Sequence, residues 1–309
     1  MIQEELMPTV LITTDYLTAG DEVDTYLTGL GFTTRHRPMR GKRPPEELVT
    51  ALDGVEGALI ANEPMTAEVL RQAPALRAIV RTGVGYDSVD LAAAAKHDIT
   101  VSNLPGINAN AVAEYTIGLL LVQARNLVGM AAGVAAGGWP RRDGFELRGK
   151  TLGIIGRGAV AQRVKPLASA FGMTVLGSEV PFDELLGRSD FVSIHTALND
   201  RTRHLIDAAA LARMKPTAHL INTARGPIVD ETALADAVRA GRIAGAALDV
   251  LDTEPLPADS VLRGVDGITV CSHMAGQTAE ARHAAGLEGA KELVAALDGR
   301  PAFSIRHAA

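Results

Sequence analysis

The chain has one cysteine, Cys271, among 309 residues. One thiol can form neither an intrachain disulfide nor a cysteine-based metal centre, so the expectation is a reducing cytoplasm and no metal. Aromatic residues make up only 4%. That scarcity, beside abundant Gly and Ala, fits close-packed helix and strand layers better than an all-β sandwich. No basic excess exists either. The formal charge is −6, which leaves no electrostatic footprint for a phosphate backbone and argues against nucleic acid as a partner. Long apolar runs are missing: the longest, residues 115–122, falls far short of the ~20 residues a membrane span needs. The start, MIQEELMPTVLITTD, has acids before its apolar run and no basic segment, so it does not read as a signal peptide. There is no repeat of 20–50 residues, no low-complexity tail and no block of like charge.

What is present is an ordinary globular composition, 47% hydrophobic and 21% charged. At ~150 residues per domain the length allows roughly two domains. Short apolar runs alternate with helix-like stretches. Strand candidates fall at 10–12, 58–60, 76–80 and 99–101, with helices over 21–30 and from 67 onward, the latter capped by Thr66. Pro105-Gly106 breaks the rhythm. One long helix is predicted over 109–136, as a connector and the seat of a homodimer interface. A second series follows, with strands at 151–155, 174–176, 191–194, 219–222, 246–250 and 268–270, and a last helix over 279–297. This βαβ alternation predicts parallel sheets covered by helices. The expectation is two doubly wound α/β domains: residues 1–102 with 279–309, and an inserted domain of 103–278.

The segment Thr151-Leu152-Gly153-Ile154-Ile155-Gly156-Arg157-Gly158-Ala159-Val160-Ala161 reads as a strand, a Gly-rich turn and a helix. Gly156 permits the tight turn, and Gly158 lets backbone approach a pyrophosphate. The helix N-terminus then offers free N–H groups and a positive dipole end. Ala161 takes the third glycine's place, a packing position. Such a turn alone is weak, since a plain βα loop can carry it. Glu179 adds a second signal. It lies 23 residues after Gly156, beyond the next apolar run, where an acid can accept from adenosine ribose hydroxyls and repel a 2′-phosphate. This favours NAD over NADP.

Three further segments each put a titratable residue just past a strand candidate: Asn222-Thr223-Ala224-Arg225-Gly226, Asp249-Val250-Leu251-Asp252-Thr253-Glu254-Pro255, and Cys271-Ser272-His273-Met274-Ala275-Gly276. In a doubly wound sheet, ligands bind beyond the strands' carboxyl ends. Taken singly, each segment is also what a surface loop carries.

With Arg81-Thr82-Gly83-Val84-Gly85-Tyr86-Asp87 and Asn108-Ala109-Asn110-Ala111-Val112-Ala113-Glu114, these motifs in order resemble the D-isomer-specific 2-hydroxyacid dehydrogenase family, in its phosphoglycerate and hydroxypyruvate dehydrogenase-like branch. The resemblance covers about residues 55–285. It implies two Rossmann/flavodoxin-like domains with an interdomain cleft, NAD as cofactor, a homodimer, and hydride transfer to or from C2 of a small 2-hydroxy or 2-keto acid. His273 would be the acid/base, since imidazole titrates near neutral pH. Glu254 would hold its other ring nitrogen, and Arg225 would bind the substrate carboxylate and polarise the C2 oxygen. Val84, Gly85 and Asn108 would complete the substrate site. Arg157, Ala159, Val160, His195, Thr196, Ala197, Thr202, Thr223, Ala224, His273 and Gly276 would line the cofactor, and Asp249 would hold the nicotinamide carboxamide.

The chain departs from the family in two places. An additional helix and strand usual between Glu179 and Phe182 are nearly absent, which thins the adenine side of the pocket. The loop Ala61-Asn62-Glu63-Pro64 lacks an Arg that phosphoglycerate-type members place there; Arg81 and the Arg40-Gly41-Lys42-Arg43 cluster are the candidate substitutes, and the cluster reads more simply as a solvated loop. The competing function is a non-catalytic, NAD(H)-sensing corepressor-like dimer. Intact Arg225, Glu254 and His273 favour the enzyme.

Overall fold

The structure is a computed structural model that describes residues 7–39 and 44–305. The Arg40-Gly41-Lys42-Arg43 cluster therefore lies outside the described residues. The chain divides into two compact units, Met1–Asn108 with Thr278–Ala309, and Ala109–Gln277.

The first unit runs β1 (Thr9–Ile12), α1 (Glu22–Gly29), β2 (Thr33–His36), α2 (Pro45–Leu52), β3 (Gly57–Ile60), α3 (Ala67–Arg71), β4 (Ala78–Arg81), α4 (Leu91–Lys96) and β5 (Thr100–Ser102). Its five strands are parallel, in the order β2-β1-β3-β4-β5. Period-2 alternation sends Leu11 to one core, and Val10 and Ile12 to the other. Helix starts are capped as the residue types dictate: Asp21 accepts from Asp24 N, and Thr66 from Val69 N. The sequence reading omitted β2, a polar four-residue edge strand with no apolar alternation, and the short helices α2 and α4.

The second unit runs α5 (Ala109–Arg125), α6 (Leu127–Ala135), β6 (Thr151–Ile155), α7 (Ala159–Ala170), β7 (Thr174–Leu176), α8 (Phe182–Arg188), β8 (Phe191–Ile194), α9 (Ala208–Arg213), β9 (His219–Asn222), α10 (Glu231–Arg239), β10 (Gly245–Leu248) and β11 (Ile268–Val270). The single helix expected over 109–136 is in fact two. Asn126 adopts a left-handed conformation, φ 48° and ψ 42°, and breaks it; Asn tolerates that region better than other non-Gly residues. No single helix among the described residues is long and apolar enough to cross a membrane, and α5 and α6 meet at a 66° bend.

The six parallel strands take the order β7-β6-β8-β9-β10-β11. Order reverses between β6 and β8, which is the topological switch point where α/β sheets bind ligands. The edge strand β7 leads straight to α8 through residues 177–181. The brief Glu179–Phe182 connection thus appears as an edge strand with no further strand beyond it. Cores lie on both faces, one including Leu152, Ile154 and Phe191, the other Val192, Ile194 and Leu220. Burying each such side chain contributes about 1.5–3 kcal/mol.

The last helix, α11 (Ala279–Leu297), returns to the first unit. Its buried Glu292 accepts from Ser102 Oγ at 2.7 Å, Ala302 N at 3.0 Å and Phe303 N at 3.1 Å, tying the C-terminal segment to β5.

Candidate active site

The Gly-rich turn sits at the switch point of the second unit. Gly156 has φ +124°, and a Cβ there would stand 2.1 Å from the carbonyl oxygen of His195, the residue that follows β8. Only glycine fits. Gly158 caps α7 with its would-be Cβ in open space. The twelve-residue α7 therefore starts with an unobstructed N-terminus, where backbone N–H groups and the dipole favour an anion. This is the backbone a dinucleotide pyrophosphate requires, and NAD fits it. Ala161 is buried with Ile154 and Val164. Arg157 is exposed.

Beyond β8, His195 Nε2 pairs with Ser193 Oγ at 2.9 Å, and burial pushes its imidazole down to about 4. It is therefore neutral near pH 7. Thr202 Oγ1 donates to Ala197 O at 2.7 Å and accepts from Asn199 N at 2.8 Å, which shapes the loop holding Thr196 and Ala197. Glu179 is exposed beyond β7. Its Oε1 accepts from Gly177 N at 2.8 Å, and backbone hydrogen bonds hold its carboxyl below the usual range.

Three loops leave β9, β10 and β11 side by side. Asn222 organises the first: its Nδ2 donates to Arg225 O at 2.8 Å, and its Oδ1 accepts from Ala224 N at 3.0 Å. Buried Thr223 meets Thr116 of α5 at 3.3 Å. Gly226 presses against the second loop. A Cβ there would stand 1.9 Å from Leu251 C and 2.3 Å from Asp252 N. The Arg225 and Glu254 loops can be this close only because residue 226 has no side chain. Glu231 of α10 anchors the second loop further, accepting from Asp252 N at 2.7 Å; burial raises its carboxyl, with Asp252 and Glu254 adding to the effect.

Glu254 precedes a cis Pro255. Its Oε1 accepts from Leu251 N at 3.0 Å, and its Oε2 lies 2.8 Å from His273 Nδ1. Burial would raise this carboxyl. The hydrogen bonds from His273 and Leu251, with the charges of His273 and Arg225, outweigh it and hold Glu254 below the usual range. Ionised Glu254 can only accept, so Nδ1 carries the proton of this pair. The two side chains are 35% and 37% exposed. Arg225 Nη1 donates to Ala224 O at 2.8 Å, and its charge falls on Glu254.

His273 itself has φ +59°, strain that its surroundings hold in place. Its N–H donates to Asp249 O at 2.8 Å, while the Asp249 carboxylate accepts from Met274 N at 2.9 Å and Ala275 N at 2.8 Å. Asp249, buried after β10, thus shapes the His273 loop. Gly276 follows, half-buried. Tyr115 of α5 was missed by the sequence reading although it directly follows the Asn108–Glu114 motif, because its partners, Cys271 and Asp249, lie far away in the sequence. Burial raises its phenol, with Cys271 and Asp249 as hydrogen-bonding neighbours, so it stays protonated beside Asp249. Cys271 is half-buried. Among the described residues no group of three or more His, Cys, Asp or Glu side chains could hold a metal.

In the first unit, Val84 and Tyr86 are exposed and Gly85 half-buried. Asn108 is half-buried at the end of that unit. Arg81 does not act as an exposed phosphate reader. It is 5% exposed and donates to Gly85 O at 2.9 Å and Asn62 Oδ1 at 2.8 Å. Glu63 is also buried, which raises its carboxyl, and it accepts from Ala61 N at 2.7 Å.

Two doubly wound sheets, a dinucleotide turn and an Arg–Glu–His grouping define an NAD-binding oxidoreductase. Residues 117–275 match the family description "D-isomer specific 2-hydroxyacid dehydrogenase, NAD binding domain". A glyoxylate reductase of Thermofilum pendens is 37% identical over 281 residues, covering 83% of each chain. An (S)-sulfolactate dehydrogenase of Chromohalobacter salexigens is 41% identical over 252 residues, 75% of this chain and 82% of that one. The NAD complex of the NAD-dependent formate dehydrogenase from Staphylococcus aureus superposes with a TM-score of 0.86 at 30% identity, covering 98% of this chain and 100% of that one. The chain belongs to the D-isomer specific 2-hydroxyacid dehydrogenase family and is an NAD-dependent dehydrogenase.

Proposed function

We propose that the protein interconverts a small D-2-hydroxy acid and its 2-keto acid, with His273 as acid/base, Glu254 as its positioning residue and Arg225 as the substrate clamp. The observation that carries this reading is the 2.8 Å pair of His273 Nδ1 and Glu254 Oε2, with the Arg225 charge beside it. In oxidation, His273 Nε2 takes the C2 hydroxyl proton as the C2 hydride departs; in reduction it returns a proton to the forming alkoxide. NAD supplies the hydride acceptor, or NADH the donor, at the nicotinamide ring. Glu254 stabilises the imidazolium and fixes the ring. Arg225 binds the carboxylate through its planar fork and polarises the C2 oxygen. Val84 and Gly85 are proposed to offer backbone N–H groups to the substrate, and Asn108 a side-chain amide.

For the cofactor, residues 156–160 take the pyrophosphate and Glu179 the ribose hydroxyls. Residues 195–197 with Thr202, and Thr223, Ala224, Asp249 and Gly276, line the remainder. NADH oxidation against glyoxylate, hydroxypyruvate, pyruvate and phosphorylated analogues tests the reading. Turnover of at least one acid is expected. Tight NADH binding with no turnover on any of them would replace the enzyme by a cofactor sensor.

The protein acts as a homodimer in the cytoplasm on this reading. Support comes from α6, which has no buried residue and whose neighbourhood exposes Leu127, Val128, Val134 and Trp139. Sedimentation of Val128→Asp beside wild type tests this: a monomeric variant supports it, and a monomeric wild type contradicts it.

A further inference from the structure

The loop after β4 has three consecutive carbonyls gripped by the protein. Gly83 O accepts from Leu104 N at 2.9 Å, Val84 O from Asn103 Nδ2 at 2.6 Å, and Gly85 O from Arg81 Nε at 2.9 Å. These peptides are trans. In a trans peptide the C=O and N–H point in opposite directions. Each gripped carbonyl therefore turns the next N–H away from its grip, and the groups so turned belong to Val84, Gly85 and Tyr86. None of the three donates to an acceptor among the described residues. Successive uncommitted N–H groups in a loop are the ingredients of an anion-binding concavity.

The donors that create this arrangement are themselves built in. Asn103 is 8% exposed and Arg81 5%. Arg81 is braced by Asn62 Oδ1 at 2.8 Å, and Glu63, held by Ala61 N, lies within its electrostatic reach.

We propose that Asn103 and Arg81 are positioning residues that hold three backbone donors, Val84, Gly85 and Tyr86, toward the substrate carboxylate. The proposal rests on the 2-hydroxy acid reading above. It adds Tyr86 N–H as a third donor and identifies what keeps all three available. A loop without these grips could rotate its peptides, and the carboxylate would lose donors while the chemistry at C2 kept its own residues.

The test uses Asn103→Ala, Arg81→Met and Arg81→Lys in the full-length protein, with oxamate as a 2-keto acid mimic in the presence of NADH. KM for the best 2-keto acid should rise about tenfold or more in Asn103→Ala and Arg81→Met, each of which loses a buried hydrogen bond. The turnover number should stay within about threefold, since the carboxylate contact is shared by ground and transition states. NADH affinity should be unchanged, because the cofactor contacts lie in residues 109–277. Amide resonances of Val84, Gly85 and Tyr86 should shift on oxamate addition in wild type and not in Asn103→Ala. Arg81→Lys should recover part of the loss, since an ammonium keeps the charge and a donor. If Arg81→Met fails to fold, Asn103→Ala decides alone. Wild-type KM and oxamate affinity in Asn103→Ala would overturn the proposal, as would turnover of 2-keto acids by a wild type whose Val84–Tyr86 resonances ignore oxamate; either leaves the functional reading standing. A wild type that neither turns over nor binds any of these acids would overturn both.

Discussion

His273 Nδ1 and Glu254 Oε2 stand 2.8 Å apart on loops that leave adjacent parallel strands, β11 and β10. The strand pairing sets the loops side by side, Asp249 pins the His273 loop, and Gly226 lets the Arg225 loop close on the Glu254 loop. The pair is thus fixed by the sheet.

Glu254 has a definite pH signature. Its folded-state pKa lies below the ordinary glutamate value, so its stabilising contribution is complete above that value, about 4.3, and is lost as pH falls through the folded value. Urea melts of Glu254→Gln should lack this acid-side decline relative to wild type. The same variant should lose roughly tenfold to a hundredfold in turnover, as befits one charge-assisted hydrogen bond. Unchanged turnover would remove Glu254 from the mechanism.

Gly226→Ala should separate two loops without touching the Gly-rich turn. Its Cβ would meet Leu251 C at 1.9 Å, so backbone must move. The expected result is at least about a hundredfold loss of kcat/KM, as a misplacement of about 1 Å can cause, with NADH affinity within about threefold by fluorescence titration.

Gly156→Ala should do the reverse. Strain at φ +124° and a 2.1 Å approach to His195 O act on the cofactor turn. Loss of on the order of 1–3 kcal/mol of stability is expected from the backbone alone, together with weakened NADH binding. A variant with wild-type melting and NADH affinity would show that the turn tolerates a side chain.

Much of this was legible in the sequence, and the reasons for the rest are physical. The strands at 191–194, 219–222 and 268–270 and the helix over 279–297 end where their apolar patterns end. The edge strand β2 did not show because Thr33-Thr34-Arg35-His36 has no apolar face to bury. The break at Asn126 did not show because one left-handed Asn leaves the hydrophobic pattern on either side intact. Arg225, Glu254 and His273 were legible as residues beyond strands. The roles of Asn103, Arg81 and Tyr115 were not, since each depends on contacts between segments that no local spacing encodes.

His219 should make the protein acid-sensitive. Buried beside Phe191, with ring centroids 5.4 Å apart, and bonded through Nδ1 to Gln123 at 3.1 Å, it is pushed down to about 4 by burial. The unfolded chain takes up this proton near pH 6.5, so stability should fall as pH drops from about 6.5 toward 4, by on the order of 3 kcal/mol. Denaturant melts of His219→Gln should show a flatter pH dependence over that window. An identical slope would place the sensitivity elsewhere.

The most direct measurement is NADH oxidation by wild type and His273→Ala with the best 2-keto acid, alongside NADH affinity for both. The expected result is a loss of about a hundredfold to ten-thousandfold in turnover, with cofactor affinity nearly unchanged. A variant that keeps most of the wild-type turnover would contradict the assignment of His273 as the acid/base.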